Sequence, residues 1–192
     1  MPNWCFTQYA ITGERKEVRS LYNKMKILQE RKTPLVPNGF GTTWLGCLVK
    51  SPGKDPTGVY CRGQWSNLKL SDGDVLTFDT EHAWSRPCEV EDLIRSRYPS
   101  LDIYFLEEEL GMEIFQTNDE GGTFFPETVI LDDESDGMEY FTVAEALKRI
   151  SELKGAPVTD WEEAEEFLYK YNLAQDAAGT ERHIWPHRAD IC

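Results

Sequence analysis

From Asn3 to Thr12 the side chains alternate. Trp4, Phe6 and Gln8 fall on one side, and Cys5, Thr7, Tyr9 and Ile11 on the other, as in a half-buried or central strand. After Thr12-Gly13-Glu14 the period changes. Val18, Leu21, Tyr22, Met25 and Leu28 recur at helical spacing, with Arg15, Lys16, Arg19, Lys24 and Lys26 among the polar positions between them. This predicts a surface helix over 14–32, packed by one stripe and solvated on its basic face. The stretch "TPLVPNGFGTTWLGCLVKSPGKDPTG" is rich in Pro and Gly and reads as a long connection holding one short element, Trp44 to Val49.

Two extended stretches follow, "VYCRGQWSNLKL" and "DVLTFDTEHAW", separated by Ser71-Asp72-Gly73-Asp74. The Asp-Gly step predicts an antiparallel hairpin. Ser85 is positioned to cap a helix over 86–98, with Pro87 in its first turn, Val90, Leu93 and Ile94 on its buried side, and Arg95 and Arg97 near its negative end. "LDIYFLEEELGMEIFQTND" predicts two more strands turning near Gly111. The order βαββαβ with an added strand predicts an α+β fold, a ferredoxin-like (split βαβ) antiparallel sheet with helices on one face. Beyond it, "ILDDESDGMEY" reads as an acidic loop. Two helices then open with the capping pairs Thr142/Glu145 and Asp160/Glu163. The organisation expected is a domain over 1–130, followed over 131–192 by an acidic loop and a C-terminal helical extension.

Charge sharpens this division. Residues 1–99 carry 14 Lys and Arg against 11 Asp and Glu, whereas 100–192 carry 6 against 23. Phosphate contacts need cations, so the acidic half is not expected to bind nucleic acid directly. No apolar run approaches the length of a membrane helix, and the N-terminus lacks a basic segment followed by an apolar one. A cytoplasmic protein without membrane association is expected. Cys5, Cys47, Cys61, Cys88 and Cys192 are odd in number and scattered, with no CxxC, so all five are expected to be reduced.

Three stretches together, "MPNWC" leading into a strand that ends in Thr-Gly, "CRGQWSN", and "TFDTEHAWSRPCEVEDLIRSRYPSLDIYFLEEELGMEIF", resemble the YubB and Api-like family. These are ferredoxin-like proteins carried by plasmids, phages and integrated conjugative elements, and no biochemical activity is established for them. The resemblance covers roughly residues 1–130. It implies the fold and a mobile-element origin, and it lends no activity. Thr7 stands where the family commonly has Asn, and "TPLVPNGFGTTW" replaces its Phe-x-Pro-Met-Pro connection.

Candidate chemistry is sparse. Asp79, Glu81 and His82 suggest acid-base or metal work, but alternation puts His82 on the face opposite the two carboxylates. His183, His187 and Cys192 are donor types that zinc accepts, yet Pro186 blocks the helix that would align the two imidazoles, so a tail docking Ile184 and Trp185 is the preferred reading. The run Glu107, Glu108 and Glu109, with Glu113 and Glu120, lacks a calcium-loop spacing and reads as a solvated face. Cys61, beside Arg62, reads as a small core hydrophobe. Nucleophile elbow, P-loop and dinucleotide fingerprint are all missing. No catalytic residue, metal or cofactor is therefore assigned. The expected function is a non-enzymatic protein-interaction module whose partner meets a partly open surface of Arg62, Gln64, Trp65, Asp79, Glu81 and Trp84. The alternatives are an acidic mimic of DNA that occupies a host nucleic-acid-binding protein, and a metal-dependent hydrolase or nuclease using Asp79, Glu81 or the terminal histidines.

Overall fold

The computed structural model describes residues 3–180 and 182–192, and the chain divides into two compact units, Met1–Asp119 and Glu120–Cys192. The first unit contains, in chain order, β1 (Trp4–Thr12), α1 (Arg15–Gln29), α2 (Leu45–Lys50), β2 (Gly63–Leu70), β3 (Leu76–Ala83), α3 (Cys88–Arg97), β4 (Asp102–Glu109) and β5 (Ile114–Thr117). Its strands lie in the order β2-β3-β1-β4-β5. Each of these pairings is antiparallel, so the protein is α+β with an antiparallel sheet.

The alternation along β1 is the organising feature of the sheet. Cys5, Thr7, Tyr9 and Ile11 are buried, whereas Trp4, Phe6 and Gln8 are exposed. Register carries this division to the neighbours: Tyr9 stands between Phe78 of β3 and Phe105 of β4, and Ile11 between Leu76 and Ile103. These residues share one core with Val18, Leu21, Met25 and Leu28 of α1 and with Val90 and Ile94 of α3, so the apolar stripes of both helices cover the same face. The rings of Tyr9 and Phe78 stack with centroids 4.8 Å apart. The short element expected at Trp44–Val49 is α2, whose Leu45, Cys47, Leu48 and Val49 enter this core.

Trp65 departs from the expected open surface. It belongs to the core, 1% exposed, and its Nε1 donates to Gln29 Oε1 at the end of α1. Trp65 pairs with Thr80, on the face that the helices cover, and that register decides its fate. Gly63 begins β2 where only glycine fits, since a Cβ there would lie 2.5 Å from the His82 Cβ. Asp74 closes the β2–β3 turn with φ 57° and holds Arg15 and Arg19 of α1 at 2.8 and 2.6 Å, so part of the basic face is engaged.

The helix after this hairpin starts later than the sequence predicts. Trp84 adopts φ 70°, and α3 begins at Cys88, with Pro87 at the N-cap and no capping by Ser85. The intervening Arg86 backbone N–H donates instead to Glu107 of β4.

The second unit is a sheet with helices. β6 (Thr128–Asp133) pairs antiparallel with β7 (Gly137–Thr142) and with β8 (Ile184–Arg188). The expected acidic loop is a hairpin whose acids cluster at its turn, with Gly137 at φ 92°, and the expected helical extension carries its own sheet. Accordingly the division between units falls after Asp119, ahead of β6, and not at 130. Thr142 caps α4 (Val143–Lys154) in a reciprocal pair with Glu145. Asp160 caps α5 (Trp161–Ala178) by accepting from the Glu163 N–H, while the Glu163 side chain turns to Lys154 and the Thr159 N–H. Val129, Leu131, Ala146, Ile150, Ala164 and Leu168 form a separate core, against which Ile184 packs. Among the described residues, no helix is long and apolar enough to cross a membrane.

Candidate functional site

Two places on the first unit carry more than packing. One is the face of the sheet opposite the helices, at the end where β1 begins and where the Phe40 ring meets that of Trp4 edge-on at 6.3 Å. Phe6 is 56% exposed and Trp4 38%, and Trp4 pairs with Ala83, one residue before Trp84. Trp84 is 44% exposed, and its N–H donates to the Asn3 carbonyl at 2.9 Å. A bulky side chain in the left-handed region costs about 1–2 kcal/mol. Asp79 and Glu81 lie on the face opposite the helices with Gln8, Phe6 and Gln64. Asp79 accepts from Asn67 at 2.6 Å and Glu81 from Gln64 at 3.3 Å, so both carboxylates are held by neutral amides. Arg62 is exposed, and its carbonyl accepts the Ala83 N–H. Of the six residues assigned to this surface from sequence, all but Trp65 are exposed or half-buried.

The second place is the covered face of the same end, and it holds polar chemistry where a core would be apolar. Cys5, His82 and Glu107 sit there on β1, β3 and β4, at 0%, 0% and 1% exposure. The Cys5 thiol donates to Glu107 Oε1 at 3.2 Å, and Thr7 Oγ1 shares a 2.8 Å hydrogen bond with His82 Nε2. Glu107 also accepts from the Arg86 backbone N–H at 2.7 Å and from Gln116 Nε2 at 2.6 Å. Arg86 reaches Glu91 at 2.6 Å through Nη1 and lies 3.6 Å above the centre of the Phe105 ring. Glu91 accepts a 2.8 Å hydrogen bond from the Tyr9 hydroxyl. The solvated run expected at 107–109 is thus broken: β4 alternation continues through the acids, and Glu107 follows Ile103 and Phe105 inward. That period-two continuation was the signal available in the sequence.

Electrostatics keep these groups neutral where they can be. Burial, reinforced by Glu107, pushes the Cys5 thiol far above its ordinary value. Burial likewise lowers His82 to about 4, against the pull of Glu107. A buried thiol held protonated is a poor nucleophile, so the pair is unsuited to Cys-His covalent chemistry. The donor set is suited to a metal. Among the described residues, Cys5, His82 and Glu107 are the one group of three or more His, Cys, Asp or Glu whose ligand atoms come close together, all within 4.8 Å of one another.

The other sequence candidates do not converge. His82 lies on the covered face, opposite Asp79 and Glu81. His183 is held between Glu134 at 2.7 Å and Asp176 at 3.0 Å, while Cys192 is exposed. All five cysteines are unpaired. No family model, no curated protein and no solved structure matches the chain.

Proposed function

We propose that this chain is a non-enzymatic protein-interaction module that binds through the aromatic end of its first sheet, with Trp4, Phe6 and Trp84 as apolar anchors. Arg62, Gln64, Asp79 and Glu81 form the polar surround. The observation that carries this reading is Trp84, kept at φ 70° with 44% of its surface exposed. The backbone strain brings little burial in return, and strain of that kind gathers where a side chain is presented for use. Tryptophan is also among the side chains enriched at the hot spots of protein interfaces. Because Asp79 and Glu81 are held by amides and not by cations, the partner is a protein segment that offers an apolar anchor beside basic side chains. The ferredoxin-like reading belongs to the same proposal and is supported by the split order, with β3 between β2 and β1 and with α1 and α3 sharing one core. The mobile-element setting rests on the resemblance of "MPNWC", "CRGQWSN" and "TFDTEHAWSRPCEVEDLIRSRYPSLDIYFLEEELGMEIF" alone, and the cytoplasmic reading on the hydropathy and the odd, scattered cysteines.

The test is affinity recovery from the native host, followed by binding of the identified partner as purified protein. Phe6→Ser and Trp84→Gly each remove an exposed anchor, and binding is expected to weaken at least tenfold with the melting temperature nearly unchanged. A partner bound equally by both variants, or no specific partner for the unaltered chain, removes the proposal.

A further inference from the structure

We propose that Cys5, His82 and Glu107 form a buried binding site for one divalent metal ion of the zinc class, independent of the aromatic surface. Thiolate, imidazole and carboxylate are the donors that zinc takes, at about 2.0–2.3 Å, which sets tetrahedral donors roughly 3.5 Å apart. Cys5 and Glu107 already stand at 3.2 Å, and the three ligand atoms lie within 4.8 Å of one another, so modest side-chain movement closes the set. The strands prearrange it: Cys5 pairs with His82 on one side of β1, and Thr7, two residues on along the same face, pairs with Glu107 on the other.

Three further observations point to a cation. Two buried polar atoms without a hydrogen-bond partner, His82 Nδ1 and Thr80 Oγ1, lie on this covered face of β3. Such atoms are rare in folded proteins and mark places where a bound ion or water completes the structure. The buried charges also fail to balance. Glu91 and Glu107 face a single buried cation, Arg86, while at the rim Arg95 is shared between Glu91 and the exposed Asp92. With Arg95 and Asp92 cancelling, one negative charge is left over, and half-buried Glu109, which also acts on the Cys5 thiol, adds to the excess. A dication that displaces the Cys5 proton to solvent adds two positive charges and one negative, which reduces the negative excess by one. Finally, the outer partners that orient metal ligands are in place: the Arg86 N–H and Gln116 on the carboxylate, and Thr7 on the imidazole. The three donors leave the fourth tetrahedral position to a water, and the ion ties β1 to both of its neighbours.

The experiment uses the full chain, stripped with chelator and titrated with Co2+ and then Zn2+. One equivalent of Co2+ is expected to bind, with thiolate-to-cobalt charge-transfer absorption, release of one proton and a raised melting temperature. Zn2+ is expected to displace it. X-ray absorption of the unaltered zinc protein is expected to show a single sulfur among nitrogen and oxygen neighbours. Cys192→Ala, at an exposed position, should keep the absorption band, Cys5→Ala should abolish it, and Gln116→Ala should weaken affinity about 10–100-fold. Absence of stoichiometric uptake, a sulfur-free first shell, or a band lost in Cys192→Ala overturns the site. Should Cys5→Ala fail to fold, the sulfur count of the unaltered protein and the Cys192→Ala spectrum decide.

Discussion

Trp65 and Trp84 lie on either side of the β2–β3 turn and meet opposite fates, which single substitutions will register differently. Trp65 is enclosed by the first core and bonded to Gln29, so Trp65→Ala is expected to cost about 3–5 kcal/mol in chemical denaturation. At Trp84, glycine relieves the left-handed backbone while giving up a half-exposed ring, so Trp84→Gly is expected to stay within about 1 kcal/mol of the unaltered protein. A loss for Trp84→Gly as large as that for Trp65→Ala would place Trp84 in the core and remove the argument from strain. The thiols give a second check on burial. Cys5, Cys47 and Cys61 are buried, and Cys88 and Cys192 exposed, so alkylation without reductant is expected to add two labels to the native protein and five after denaturation. Fewer than five labels on the denatured chain would reveal a disulfide.

At the scale of elements, the second unit depends on a contact between the β6–β7 turn, the end of α5 and the start of β8. His183 gives one ring nitrogen to Glu134 and the other to Asp176, and its ring lies 5.9 Å from that of Trp185. The bond to Glu134, helped by Asp176, raises the His183 pKa, and the same bond lowers that of Glu134. Because the folded value of His183 lies above its unfolded value of about 6.5, its contribution is complete below that pH and is lost as pH rises through the folded value. Glu134 behaves oppositely, contributing fully above about 4.3 and losing its effect as pH falls. The contact is therefore strongest between about pH 4.3 and 6.5. Stability of the second unit is expected to decline as pH is raised beyond that window, and His183→Gln is expected to flatten the decline. An NMR titration of His183 with a midpoint at or below 6.5 would contradict the geometry.

Over the whole molecule, two cores divide the work of stabilisation. Leu21 belongs to the first and Ile150 to the second, and neither is accessible to solvent by more than 1%. Replacing either by Ala is expected to cost about 2–5 kcal/mol locally. In native-state hydrogen exchange, Ile150→Ala should speed exchange in β6, β8, α4 and α5 while leaving β1, β3 and β4 protected, and Leu21→Ala should do the reverse. Equal acceleration throughout both units by either variant would show a single cooperative structure.

The elements legible in the sequence were those whose periodicity is local. The alternation of Trp4 through Ile11, the helical stripe from Val18 to Leu28, the Asp72-Gly73 turn and the strands before and after Gly111 each depend on residues a few places apart, and each appears in the structure. Periodicity divides a strand into two faces without saying which one helices will cover. Register across β2, β3 and β1 made that choice, placing Trp65 inside and leaving Phe6 out. The β6–β7 segment has the composition of a loop because its acids lie at the turn, and its pairing is completed by β8, some fifty residues further on. Cys5, His82 and Glu107 are scattered along the chain and carry no spacing motif, so only the adjacency of three strands brings them to one point. Local periodicity thus determined the elements and the two faces of each. Long-range pairing decided which side chains are buried and which donors meet, because those outcomes depend on partners the chain reaches only when folded.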